Sequence, residues 1–75
     1  MPRYYFNICT DEFEETDMVG EHCPDDVAAL KEALRAASEI VRQQLWHNRV
    51  SDAWVEVEDE QHREVMRLPI RAAAY

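Results

Sequence analysis

The longest regular pattern in the chain is a helical repeat that starts after Pro24 and Asp25. Apolar residues recur there at steps of three and four positions, the spacing of one face of an α-helix. The apolar stripe comprises Val27, Leu30, Leu34, Ala37, Val41 and Leu45, widened by Ala33 and Ile40. Asp25 is placed to cap the N-terminus of this helix. The pattern predicts an amphipathic helix over residues 26–47 that packs through its apolar stripe.

Alternating patterns flank this helix on both sides. In residues 3–9, Tyr4, Phe6 and Ile8 fall on one face, and the enrichment in aromatic residues favours a strand. Residues 53–58 and 63–70 also alternate, and the four polar residues between them predict a hairpin. In the register that such a loop favours, Val55 lies opposite Met66. The hairpin face predicted to contact the helix carries Val55, Val57, Met66, Leu68 and Ile70.

The order of these elements predicts the fold class. Residues 10–23 form an acidic loop or a short strand that ends at Gly20, the single glycine of the chain. The chain of 75 residues is then one α+β domain, residues 1–75. One long helix packs on a three- or four-stranded, mainly antiparallel sheet in the order β-(β)-α-β-β. Pro69 indicates that the last strand lies at an edge of the sheet.

One helix covers one face of a sheet, so the other face is predicted to be open. That face would show an apolar cluster of Tyr5, Trp54 and Val65. Exposed apolar clusters of this kind are typical of partner surfaces. The first hypothesis is therefore a non-catalytic interaction module that forms a homodimer through this face, which would also support a small core.

The net charge of −8 is confined to one stretch of the sequence. Residues 11–26 hold eight of the sixteen acids and no Lys or Arg, and the remaining acids and bases cancel. The second hypothesis is an acidic inhibitor or antitoxin-like regulator that occupies the groove of a basic, nucleic-acid-binding partner. Its contact residues would be Asp11, Glu12, Phe13, Glu14 and Glu15. The alternative is a solvated loop that aids solubility. Direct nucleic-acid binding is not expected, because the eight Lys and Arg residues are scattered among acidic residues and form no basic patch.

The sequence predicts no catalytic residue, metal site or cofactor. Cys9, His22 and Cys23 are zinc-ligand types, but their spacing matches no known zinc motif. Counted from Asp11, the acidic stretch has Thr16 at the sixth position, where a calcium loop needs glycine, and His22 at the twelfth, where it needs an acidic residue. Two cysteines are too few for a disulfide scaffold, so free thiols are expected. A cytoplasmic protein is expected, because the N-terminal residues lack a signal-peptide pattern and no apolar run is long enough to span a membrane.

The chain resembles a family of short alphaproteobacterial proteins whose function is uncharacterised. The resemblance rests on Met1-Pro2-Arg3-Tyr4-Tyr5-Phe6, Asp17-x-x-Gly20-Glu21, Pro24-Asp25, Ala29, Glu32, Ala33, Ala36, Val55-Glu56-Val57 and Leu68-Pro69-Ile70-Arg71. It implies the fold and a bacterial cytosolic origin, and it implies no activity. The chain has Asn7 where relatives often have His, and His62 and Glu64 where they often have Gly and an apolar residue. Without Gly, the hairpin turn must use another geometry or hold His62 in a less favoured conformation.

Overall fold

The computed structural model of the chain describes residues 1–10, 14–44 and 53–70. It confirms the α+β class, with one helix packed against one antiparallel sheet. The elements are β1 (Arg3–Cys9), β2 (Glu14–Glu15), β3 (Glu21–His22), α1 (Asp26–Gln44), β4 (Trp54–Glu58) and β5 (Glu64–Pro69). The predicted count of three or four strands is wrong, because the acidic segment supplies two short strands and the sheet has five. The predicted helical residues 45–47 lie outside the described residues.

The sheet is built around β1. Its strand order is β2-β1-β4-β5, and β3 pairs with β1 beside β2. β5 lies at the edge of the sheet, as Pro69 indicates. In the described part of the chain, no strand pairs with the outer side of β5. A strand edge without a partner is a template for pairing with another chain.

Asp17 joins the two short strands to β1. The ladder is interrupted between β2 and β3, and the Asp17 side chain fills the gap. Its Oδ2 accepts a hydrogen bond from the Phe6 amide at 3.1 Å, and its Oδ1 accepts from the amides of Val19 and Gly20 at 3.0 Å. Gly20 has φ 74°, and a Cβ there would lie 2.8 Å from Arg3 Cγ. The spacing of Asp17 and Gly20 is therefore explained by this turn.

The helix packs on the sheet through alanine. Ala29, Ala33 and Ala37 are 0% exposed and contact a core whose bulk comes from strand residues such as Val55 and Val57. The prediction that Val27, Leu30 and Leu34 face the core is wrong, because they are 62%, 40% and 38% exposed, respectively. Ala33, Ala37 and Ile40 of the same predicted stripe do contact the core. Small side chains let the helix axis approach the sheet closely, so the helix is rotated toward its alanines.

The start of α1 is fixed by two aspartates. Asp25 Oδ1 accepts a hydrogen bond from the Ala28 amide at 2.9 Å, which confirms Asp25 as the N-cap. Tyr4 donates its hydroxyl proton to Asp26 Oδ1 at 2.6 Å, which ties β1 to the helix. This hydrogen bond, together with burial and the negative charge of Asp26, raises the pKa of Tyr4 to about 12. The first turn of the helix is therefore anchored to the sheet.

The β4–β5 hairpin contains a β-bulge. Val57 lies opposite Met66 but Glu58 lies opposite Glu64, so Val65 is the extra residue. The predicted register, with Val55 opposite Met66, is wrong, since Val55 lies opposite Leu68. The shift is two residues, so the predicted inward face is kept. The bulge also brings Glu64 to the open face, where Arg67 binds it.

His62 has φ 64° in the hairpin turn, the less favoured conformation expected without a glycine. We expect His62→Gly to be more stable than His62→Ala by about 1 kcal/mol, because only glycine adopts this φ without steric cost. Both variants lack the ring that stacks on Tyr5, so the difference between their free energies of unfolding reports the backbone conformation alone. Urea denaturation of the two variants measures it. Equal stabilities would show that the turn relaxes to another geometry.

Candidate functional site

The face of the sheet away from α1 carries a buried amide and a buried thiol of β1. Asn7 and Cys9 lie directly opposite Glu56 and Trp54 of β4. Both β1 residues are buried, with Cys9 only 3% exposed. Asn7 Oδ1 accepts a hydrogen bond from the Asp17 amide at 2.8 Å, which gives this buried amide a structural partner. The open face is therefore polar along its centre.

Arg67 links two glutamates on this face. Its guanidinium donates to Glu56 Oε2 at 3.3 Å and to Glu64 Oε1 at 2.9 Å. Burial raises the pKa of Glu56, and a hydrogen bond and charge from Glu64 raise it further. The hydrogen bond from Arg67 lowers the pKa of Glu64. Of the two carboxyls, Glu56 therefore holds a proton to higher pH.

A thiol and two carboxylates converge at one end of this face. Cys9 Sγ, a Glu14 carboxylate oxygen and a Glu56 carboxylate oxygen all lie within 4.8 Å of one another. We call these three residues the Cys9 cluster. Burial raises the pKa of the Cys9 thiol, and the charges of Glu56 and Glu14 add to that effect. The cluster thus combines a soft ligand atom with oxygen ligands in an anionic setting.

The Cys9 cluster is not visible in the sequence. Its members come from β1, β2 and β4, and the strand register alone brings them together. The structure does not bring together Cys9, His22 and Cys23, the three zinc-ligand residue types noted in the sequence. Cys23 lies in the core on the helix side, and His22 Nδ1 lies 3.0 Å from the Met1 carbonyl oxygen. Both cysteines are free thiols.

The residues predicted to form the open partner surface are partly covered. The Tyr5 ring stacks on His62 with centroids 4.4 Å apart, and the Arg67 guanidinium lies 5.2 Å from the Trp54 ring centroid. Trp54 is half-buried, and its Nε1 is buried without a hydrogen-bond partner in the described residues. Val65 is exposed at the bulge. The two rings therefore present less free apolar surface than the sequence suggested.

The acidic residues predicted to contact a basic partner are only partly described. Glu14 and Glu15 form β2 and are exposed. Asp11, Glu12 and Phe13 lie outside the described residues. Glu14 and Glu15 pair with Cys9 and Ile8, so this part of the acidic stretch is held against β1.

The largest described apolar side chains left exposed on α1 lie on one flank. We call Val27, Leu30 and Leu34 the helix ridge. Burial and the neighbouring Glu32 carboxyl raise the pKa of Glu21 of β3, so the flank that carries Glu32 faces that side of the sheet. At about 100° per residue, Leu30 and Leu34 lie on the opposite flank. The helix packs over β4 and β5, so the helix ridge faces the side of the open β5 edge.

These features define a small two-layer sheet-and-helix protein with a buried thiol cluster on the open face and an apolar helix flank. The chain matches DUF6894, a domain of unknown function, over residues 3–71, and it belongs to that family. No curated protein and no solved structure gives a significant match. No helix in the described part of the chain has the length and apolar character needed to cross a membrane.

Proposed function

We propose that this protein is a small non-catalytic interaction module that forms a homodimer through the helix ridge and the outer edge of β5. The exposure of Val27, Leu30 and Leu34 on a helix whose sheet-facing residues are alanines is the observation that carries the proposal. Large apolar residues on one helix flank are typical of a surface that a partner buries.

A second copy of the chain is the partner that fits this flank best. Within the described residues, the flank combines an apolar ridge with an unpaired strand edge. A two-fold axis beside β5 would bring an identical edge and an identical ridge to meet them. One operation would then pair both edges and bury both ridges.

The expected affinity is moderate. Each ridge side chain is already partly buried by its own chain, so burying the rest contributes about 1 kcal/mol. Six such side chains in a dimer contribute about 6 kcal/mol, and edge hydrogen bonds add about 1 kcal/mol each. Association costs at least about 4 kcal/mol in lost translational and rotational freedom. With about one edge hydrogen bond for each of the 6 residues of β5, the terms sum to at most about 8 kcal/mol. They therefore favour a dimer of micromolar affinity at best, not an obligate one.

The helix ridge replaces the open sheet face as the proposed self-association surface. Tyr5 and Trp54 are partly covered by His62 and Arg67, whereas the ridge residues are more exposed. A bacterial cytoplasmic setting is part of the proposal, and it rests on the sequence resemblance to short alphaproteobacterial proteins.

Leu34→Glu is expected to weaken dimerisation at least tenfold, because a charge would be buried at the centre of the ridge. Sedimentation velocity over the micromolar range measures the change. The matched control is Met18→Glu, which makes the same apolar-to-Glu change at an exposed position outside the helix. The control should dimerise like the parent protein. A monomeric parent protein, or a Leu34→Glu variant that dimerises normally, would contradict the proposal.

A further inference from the structure

We propose that the Cys9 cluster binds a divalent transition-metal ion of the zinc class through Cys9 Sγ and carboxylate oxygens of Glu14 and Glu56. The site is independent of the helix ridge, because it lies on the opposite face of the sheet. Its ligands come from three strands, so a bound ion would fix β2 against β1 and β4.

The spacing of the three ligand atoms suits such an ion. Zinc binds thiolate sulfur at about 2.3 Å and carboxylate oxygen at about 2.1 Å, so ligand atoms in a tetrahedral site lie about 3.5 Å apart. The three atoms here lie within 4.8 Å of one another. Rotation of the exposed Glu14 side chain can supply the difference without a change in the backbone.

The Cys9 side chain provides a separate indication of a ligand. A buried thiol in a small core is usually surrounded by apolar atoms. Cys9 is instead buried on the face of the sheet away from the helix, lies within 4.8 Å of two carboxylates, and has no disulfide partner. A metal ion bound to the Cys9 sulfur would give this buried side chain a partner.

The charge around the cluster favours a cation. Glu14 and Glu64 both lie close enough to Glu56 for their charges to act on it. In the described residues, Arg67 is the cation that contacts this group, and it binds Glu56 and Glu64. One guanidinium offsets part of the negative charge of three carboxyls. A divalent ion at Cys9 would displace the thiol proton and would offset most of the remaining negative charge.

The ligand types select the class of metal. Calcium and magnesium need six or more oxygen ligands, so a site with a buried thiol suits them poorly. Zinc and cobalt accept mixed sulfur and oxygen ligands in a tetrahedral geometry. Three protein ligands leave a fourth position for water or a further carboxylate.

Cobalt(II) titration of the full-length protein tests the proposal with a spectroscopic readout. Cobalt should produce a near-ultraviolet sulfur-to-metal charge-transfer band and the visible absorption of a tetrahedral site, and zinc should displace it. Cys9→Ser should abolish the charge-transfer band. Cys23→Ser is the matched control and should keep it, since Cys23 lies in the helix-side core.

A second pair of variants keeps the test informative if Cys9→Ser does not fold. Glu14 and its neighbour Glu15 are both exposed, so neither substitution disturbs the core. Glu14→Gln should weaken cobalt binding at least about tenfold, as losses around metal sites do, and Glu15→Gln should leave it unchanged. Absence of the charge-transfer band in the parent protein would overturn the proposal. Equal cobalt affinities for Glu14→Gln and Glu15→Gln would also overturn it.

Discussion

Ala33→Leu is expected to lower the free energy of unfolding by about 3 kcal/mol. Ala33 is fully buried between α1 and the sheet, with the buried Ala29 and Ala37 one turn away on either side. A leucine there would force the helix away from β4 or into strained rotamers. For a domain of this size, that loss is a large share of the total stability. Urea denaturation monitored by circular dichroism measures it.

Lys31→Leu is the control for this substitution. It introduces leucine at an exposed position of the same helix, and we expect a change within about 0.5 kcal/mol. If Ala33→Leu were as harmless as Lys31→Leu, the helix would have to face the sheet with Leu30 and Leu34 instead. That result would remove the basis for the helix ridge.

Asp17→Ala is expected to lower the free energy of unfolding by about 2–3 kcal/mol. The substitution leaves the amides of Phe6, Val19 and Gly20 without their acceptor. Hydrogen bonds to a charged group are worth about 1.5–3 kcal/mol each, but these amides can partly recover bonds to water. Thermal or urea unfolding measures the loss. Thr16→Ala, at the exposed neighbouring position, should change stability by less than about 0.5 kcal/mol.

The charge of Asp17 makes this contribution depend on pH. Burial opposes ionisation of Asp17, but hydrogen bonds from Gly20, Phe6 and Val19 and the charge of Arg3 outweigh it and lower its pKa. A carboxyl whose folded pKa is lowered stabilises the fold above its ordinary pKa of about 4. That contribution is lost as pH falls through the lower folded pKa. The stability difference between the parent protein and Asp17→Asn should therefore shrink below about pH 4. A constant difference would show that the charge contributes nothing.

The elements with a regular period could be predicted from the sequence. The alternation of residues 3–9 predicted a strand, and β1 spans Arg3–Cys9. The alternation of the two hairpin segments placed Val55, Val57 and Ile70 inward, and all three are fully buried. Hydrophobic periodicity is a local property of the sequence, so it predicts an element even when the residues that pack against the element are unknown.

The rotation of the helix could not be predicted from the same pattern. Leu34 is more hydrophobic than Ala33, so a stripe chosen by hydrophobicity puts Leu34 inward. The distance between helix and sheet reverses that choice, because Val55 and Val57 already fill the space. The space that the sheet leaves for each helix side chain decides which flank of the helix is buried. A local sequence pattern does not show which sheet residues pack there.

The Cys9 cluster depends on register in the same way. Glu14 meets Cys9 through the β1–β2 pairing, and Glu56 reaches the cluster from β4, which pairs with β1. A ligand pattern within one segment would have been visible, as a pair of nearby cysteines is. The bulge at Val65 was equally hidden, since the alternation of β5 does not show where its ladder slips.

Residue-resolved NMR spectra recorded across a dilution series test the proposed dimer most directly. The methyl signals of Val27, Leu30 and Leu34 should shift with protein concentration over the micromolar range. The signals of Tyr5 and Trp54 on the open face should stay fixed. Spectra that do not change with concentration, or changes confined to the open face, would contradict the proposed dimer.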